Sequence, residues 1–203
     1  MDKKIILITG MFTAGKSTIA DNIVTNNNVI VIPQATTRGK REDDTPEFFK
    51  YFSKEDYEKL NFFSCFGNYG ILQDDITNFF GGKNNNAVSI VSTPDIEEFL
   101  KKIPRENLFL ILKTLSTTLK EEKKMIINRF PNFFKGDSLN QRINLAIELA
   151  TDYYFNPSYS SNFDLILPLN AEDKTFDVNG IHFSTKVDDG SIKKRGKELC
   201  MKY

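Results

Sequence analysis

The sequence predicts an α/β protein built on a doubly wound parallel sheet of about five strands. Three observations lead there. The run Ile5-Ile6-Leu7-Ile8 is apolar at every position, as in a parallel strand covered on both faces. It leads directly into Gly10-Met-Phe-Thr-Ala-Gly15-Lys16-Ser17-Thr18, a glycine-bounded turn followed by a helix-forming segment. Short apolar runs then alternate with helix-length segments to about residue 168.

In chain order, residues 5–9 form the first strand and 16 to about 26 the first helix. Residues 29–32 form a second buried strand, ended by Pro33. A polar stretch follows, with Thr36-Thr37-Arg38 and Arg41, and then a strand over 47–52. Ser53 caps a short helix reaching Leu60, with Asp56 in place of the usual glutamate. Residues 61–72 read as one or two short strands around Gly67-Asn68-Tyr69-Gly70. Residues from about 34 to 86 therefore form a small lobe inserted between core segments 1–33 and 87–168. The core resumes with a strand at 87–91, a helix from Pro94 to Lys102, and a strand at 108–113. Ser116 caps a helix to about Arg129, and the Pro131-to-Gly136 break makes 129–138 a lid. A helix from Asp137 or Ser138 to about Tyr153 and a strand at 163–167 complete the core. In the tail, 170–203, Asn179-Gly180 marks a hairpin and a short basic helix spans 191–201.

A chain of 203 residues can bury a core as one domain. Its 27 basic and 27 acidic side chains cancel, which gives no bulk attraction for nucleic acid or an anionic membrane. Cys65 and Cys200 lie far apart and form no metal or redox motif, so a reduced, cytoplasmic setting is expected. No segment approaches the ~20 apolar residues of a membrane span. Most of the 18 Phe read as core or cleft wall.

The 10–18 turn has the form G-x-x-x-x-G-K-S, the phosphate loop of P-loop NTPase-type folds. Its glycines let successive backbone N–H groups converge on phosphate oxygens, with Thr13 and Ala14 between them. Lys16 reaches the outer phosphates, the Ser17 hydroxyl suits Mg²⁺, and Thr18 continues the helix whose positive end faces the anion. A chance glycine-rich turn would need neither the buried strand before it nor the helix after it. A second signal is Arg38 with Arg41: two guanidinium groups three positions apart can fork another phosphate. Alone, that pair reads as a solvated basic loop; beside the phosphate loop, it suggests that two phosphate-bearing molecules meet.

Residues 10–18, Thr36-Thr37-Arg38 with Arg41, the stretch 51–57 and Gly67-Asn68-Tyr69-Gly70 occur in the order found in guanylate kinases, and the chain resembles that family over residues 1–168. The Thr-Thr-Arg-x-x-Arg element is the specific part. The resemblance implies ATP and Mg²⁺ as co-substrate and cofactor, and a nucleoside monophosphate, GMP or dGMP by default, as acceptor. Arg38 and Arg41 would grip the acceptor phosphate. Lys16, Arg129 and Arg142 would surround the transferring group, with Lys135 a further contributor or a solvated loop lysine.

Departures cluster at the acceptor pocket. Ser64 is nearest to the place of the family's base-reading glutamate, Gln34 takes the place of a serine, and Phe49 that of a phosphate-contacting tyrosine. Tyr69 is the single tyrosine of an element that usually has two. Ser92 and, slightly later, Asp95 stand about where Asp-x-Asp is expected, and Asp74 or Asp75 could also approach the cleft. The sole histidine, His182, lies away from every motif, and Tyr153, Tyr154 and Tyr159 read as packing or surface residues. A P-loop kinase for another small metabolite is the second enzyme reading. A non-catalytic binding module is the third, and the intact Gly15-Lys16-Ser17 argues against it. No Asn-Lys-x-Asp element supports a GTPase switch.

Overall fold

The computed structural model describes residues 3–41, 44–132 and 138–185. The expected lid tip with Lys135, and the basic helix expected near the C-terminus with Cys200, fall outside them.

Strand β1 (Lys4–Gly10) runs through the centre of the main sheet, and α1 (Lys16–Asn26) follows the phosphate loop. Its side chains alternate between two cores. Ile5 and Leu7 point into one, with Phe79, Ile96 and Phe99; Ile6 and Ile8 point into the other, with Ile19 and Ile23 of α1. All four β1 side chains are fully buried, which is why the run is uninterrupted in sequence. Strand β2 (Ile30–Val31) is shorter than the expected 29–32.

The inserted segment opens with β3 (Gln34–Thr36) and β4 (Phe49–Tyr51), then α2 (Lys54–Tyr57), β5 (Phe62–Phe66), β6 (Tyr69–Leu72) and α3 (Gln73–Gly81). The strand expected over 47–52 begins instead as a 3₁₀ turn, Pro46–Phe48, because Pro46 fixes the φ that a first turn needs. Helix α3 was not foreseen: only Ile76 and Phe79 mark its buried face, although Asp74 and Asp75 suit its N-terminal turn.

The main sheet continues with β7 (Asn86–Ile90), α4 (Asp95–Lys102) and β8 (Leu108–Thr114). Next come α5 (Leu119–Arg129), α6 (Ser138–Leu149), α7 (Pro157–Ser160) and β9 (Leu165–Pro168). Thr118, not the expected Ser116, caps α5, its hydroxyl accepting from the Glu121 amide at 3.3 Å. The parallel order is β2-β7-β1-β8-β9. The lobe is a separate sheet of order β4-β3-β6-β5.

The Asn179-Gly180 hairpin forms as expected, from β10 (Thr175–Val178) and β11 (Ile181–Ser184). It packs on α1, burying Val178, Ile181 and Phe183 in the same core as Ile19 and Ile23. The Asn27 amide fixes it by bonding both the N–H and the C=O of His182 at 2.8 Å. The tail thus braces the helix that carries the phosphate loop. Among the described residues no helix is long and apolar enough to cross a membrane.

Candidate active site

The phosphate loop leaves β1 at Gly10, whose φ is +125°. A Cβ there would lie 2.0 Å from the Lys113 carbonyl oxygen, which also accepts the Met11 amide at 2.8 Å. Glycine is therefore demanded by close approach as well as by conformation. Thr13 and Gly15 also have positive φ, and Gly15 is the residue before α1. Lys16 Nζ donates to the carbonyls of Gly10 at 2.9 Å and Met11 at 2.8 Å, which holds the ammonium across the loop mouth. Burial pushes its pKa down to about 8, so an arriving anion meets a cation held at a desolvation cost.

A cavity of about 370 Å³ opens beyond the loop, outside the carboxyl ends of β1 and β7. Gly10, Lys16 and Ser17 line it together with Arg38 and Arg41. Thr13, Ala14, Gly15 and Thr18 complete the loop without lining the cavity. Both phosphate-directed elements of the sequence therefore face one space.

Arg38 carries a partner that sequence reading missed. Its two terminal nitrogens fork onto Asp44 at 2.6 and 2.5 Å. The Tyr51 hydroxyl and the Arg41 amide donate to the same carboxylate at 2.6 and 2.7 Å. Burial would raise the Asp44 pKa, but Arg38, Tyr51 and the Arg41 amide hold it down to about 2. The Arg38 guanidinium also lies over the Phe49 ring, 4.5 Å from its centroid. Asp44 thus gives Arg38 a bidentate anionic partner within its own loop. The spacing of Arg38, Arg41 and Asp44 within one loop was the available signal.

Strand register sets out the lobe wall. Phe49, Gln34, Ile71 and Ser64 are cross-strand partners along one row of the sheet, and Tyr51, Thr36, Tyr69 and Phe66 along the next row but one. Gln34, Phe49, Tyr69 and Phe66 line the cavity. Ser64 and Asp95, expected at its surface, do not: both are buried behind the wall, where β5 packs on α4. Among the described residues, Ser64 Oγ and Asp95 Oδ2 have no hydrogen-bond partner. Asp75 is paired with Lys50 at 2.8 Å, and neither it nor Asp74 lines the cavity.

Burial pushes the Asp95 carboxyl up to about 6. A carboxyl raised from 3.8 to about 6 on folding stabilises fully only below pH ~4 and loses that contribution as pH rises through 6. Asp95→Asn should therefore stabilise the protein by about 2–3 kcal/mol at pH 7.5 and give no gain at pH 3.5. Paired thermal melts across this range check it; a gain independent of pH would contradict the burial account.

Ser92 lines the cavity two residues past the end of β7, and its neighbour Thr93 joins a buried hydroxyl chain. Thr93 Oγ1 lies 3.2 Å from Thr9 Oγ1 and 2.9 Å from the Tyr154 hydroxyl, while Tyr159 donates to the Thr93 carbonyl at 2.5 Å. Tyr154 and Tyr159 are packed as expected, but Tyr154 also forms cavity wall.

Arg129 and Arg142, expected on either side of a lid, lie differently. Arg129, at the end of α5, donates to Thr13 Oγ1 at 3.2 Å and so touches the phosphate loop. It also lines a second cavity of about 630 Å³ with Leu115, Ser116, Pro168 and Asn170. Fully buried Glu122 shapes that end by accepting the amides of Leu115 and Ser116 at 3.1 and 2.6 Å. Arg142 lines neither cavity. It lies on α6 one turn before Leu145, on the face whose Leu145 and Leu149 do line the first cavity.

Among the described residues no group of three or more His, Cys, Asp or Glu could hold a metal ion. Mg²⁺ in phosphate sites needs only one or two protein oxygens besides phosphates and waters, and the Ser17 hydroxyl on the cavity wall fits that need.

No family model matches the chain, and no curated protein does. Among solved structures, a guanylate kinase from Anaplasma phagocytophilum is similar, with a TM-score of 0.53 and 13% identity, covering 98% of this chain and 86% of that one. The fold is guanylate kinase-like. With that fold, a parallel sheet ends at one cleft bounded by the phosphate loop, a four-stranded lobe and α6.

Proposed function

We propose that the protein is an ATP-dependent nucleoside monophosphate kinase. The observation that carries this reading is the single cavity lined by Lys16 and Ser17 on one side and by Arg38 and Arg41 on the other. Transfer between two phosphates needs little covalent help; it needs both molecules in line and their charge neutralised in a dry site. Lys16 and the loop amides hold the β- and γ-phosphates of ATP. The second cavity, which Arg129 joins to the loop through Thr13, takes the donor's base.

Arg38 and Arg41 hold the acceptor phosphate, with Arg38 passing from Asp44 to the incoming oxyanion. An acceptor oxygen then bonds to the γ-phosphorus as its bond to the β–γ bridging oxygen breaks, releasing ADP. Ser17 would hold Mg²⁺, which, when bound, neutralises charge on the transferring phosphates. Phe66 on the lobe and Leu145 on α6 are both large, exposed and on the cavity wall, so closing the cleft would bury them and expel water. The same motion would bring Arg142 inward. (d)GMP is the acceptor implied by the family resemblance, and the setting is cytoplasmic.

Thermal-shift titration tests the two-site arrangement. ATP–Mg²⁺ and a nucleoside monophosphate should each raise the melting temperature, and together raise it further. No stabilisation by any nucleoside triphosphate would overturn the reading.

A further inference from the structure

Gln34 is 5% exposed, and its side-chain amide makes no hydrogen bond to any described residue, yet it lines the cavity. It differs from the orphaned Ser64 Oγ and Asp95 Oδ2, which are sealed from the cavity. A buried amide in this position is completed only by what enters the cavity, water or ligand. Its place relative to the phosphate end follows from the strand. Gln34 and Thr36 share a face of β3, and Arg38 lies two residues further on. β3 ends at Thr36, and the Arg38 guanidinium lies 4.5 Å from the centroid of Phe49, the cross-strand partner of Gln34, so that ring separates the amide from the phosphate-directed arginine.

The rest of the wall limits what that base can be. Among the described residues, the only carboxylate lining the cavity is Asp44, which is engaged with Arg38 and Tyr51 at the phosphate end. Beside Gln34 the wall is Phe49. Guanine presents two adjacent donors, N1–H and N2–H₂, best met by a carboxylate that only accepts. An amide offers one donor and one acceptor side by side, which matches a ring edge with one of each. Guanine's second donor would face this wall without a strong acceptor, and an unpaired polar group is what such a site rejects.

We infer that Gln34 reads the base of the acceptor, and that the preferred acceptor is a nucleoside monophosphate whose base edge pairs one donor with one acceptor, as adenine, cytosine, uracil or thymine does, rather than GMP. This rests on the kinase reading of the same cavity and departs from the acceptor that the family resemblance implies.

The test is steady-state kcat/KM for AMP, CMP, UMP, dTMP and GMP, with binding of ribose 5-phosphate as a base-free control, in three proteins. The parent should favour one of the first four over GMP by about tenfold or more. Gln34→Glu, nearly isosteric but accepting only, should move the ratio toward GMP by about tenfold or more. Gln34→Leu should lower kcat/KM for the preferred acceptor and flatten the ratios while leaving ribose 5-phosphate binding unchanged. This second variant keeps the test sharp if a buried glutamate impairs folding. A parent that prefers GMP, or ratios moved by neither substitution, would overturn the inference alone. Binding of ATP with no nucleoside monophosphate accepted would overturn the kinase reading as well.

Discussion

Lys16→Ala is expected to lower turnover by about 10²–10³-fold, the scale of losing one preorganised charge from a phosphoryl-transfer site. The lysine already sits at the loop mouth on the Gly10 and Met11 carbonyls, so it is in place before ATP arrives. Its burial adds a pH signature. The free-protein pKa is about 8, and pairing with phosphate raises it in the complex. ATP affinity should therefore be flat below pH 8 and weaken above it, as binding comes to require uptake of a proton. Isothermal titration at pH 7 and pH 9, in buffers of different ionisation enthalpy, measures both quantities. Turnover within a few-fold of the parent, or affinity rising above pH 8, would contradict the assignment.

Arg38→Ala is expected to cost about 2–5 kcal/mol in acceptor binding, a loss of roughly 30-fold or more, while leaving ATP affinity nearly unchanged. The same substitution strands the Asp44 carboxylate, whose side chain is 7% exposed. Its depressed pKa means that the pair stabilises above pH ~4 and that this is lost as pH falls toward 2. Asp44→Asn separates the two effects. It weakens the competition for Arg38, so acceptor affinity should rise even as the protein loses the ion pair. Equal losses of ATP and acceptor affinity in Arg38→Ala would show that Arg38 serves structure and not the acceptor.

What the sequence revealed follows the range of the interactions involved. The phosphate loop is specified locally: Gly10 and Gly15 by backbone geometry, and β1 by burial on both faces. The Asn179-Gly180 hairpin is likewise a two-residue signal, although nothing local shows that it packs on α1. Helix α3 was missed because a nine-residue helix with two buried positions has little periodicity to read. The lobe wall departs from expectation for a different reason. Ser64 lies in line with Gln34 across β6, but a shift of register between Phe62 and Ser64 and the packing of β5 on α4 put its hydroxyl behind the wall. Position along the chain located the row but not which of its members faces the cavity.

Arg129 and Arg142 show the same limit. Helix spacing puts Arg142 on the cavity face of α6, yet one turn short of the cavity. Arg129, expected with Arg142 around a transferring group, reaches Thr13 of the phosphate loop.

Phosphoryl transfer itself is the most direct measure of the proposed activity. ³¹P NMR of the protein with ATP, Mg²⁺ and an equimolar mixture of nucleoside monophosphates should show two nucleoside diphosphates formed for each ATP consumed, ADP and the diphosphate of the acceptor (a second ADP if AMP is preferred), and almost none with Lys16→Ala. ATP that is bound but never yields a nucleoside diphosphate, or that is hydrolysed to inorganic phosphate regardless of acceptor, would contradict it.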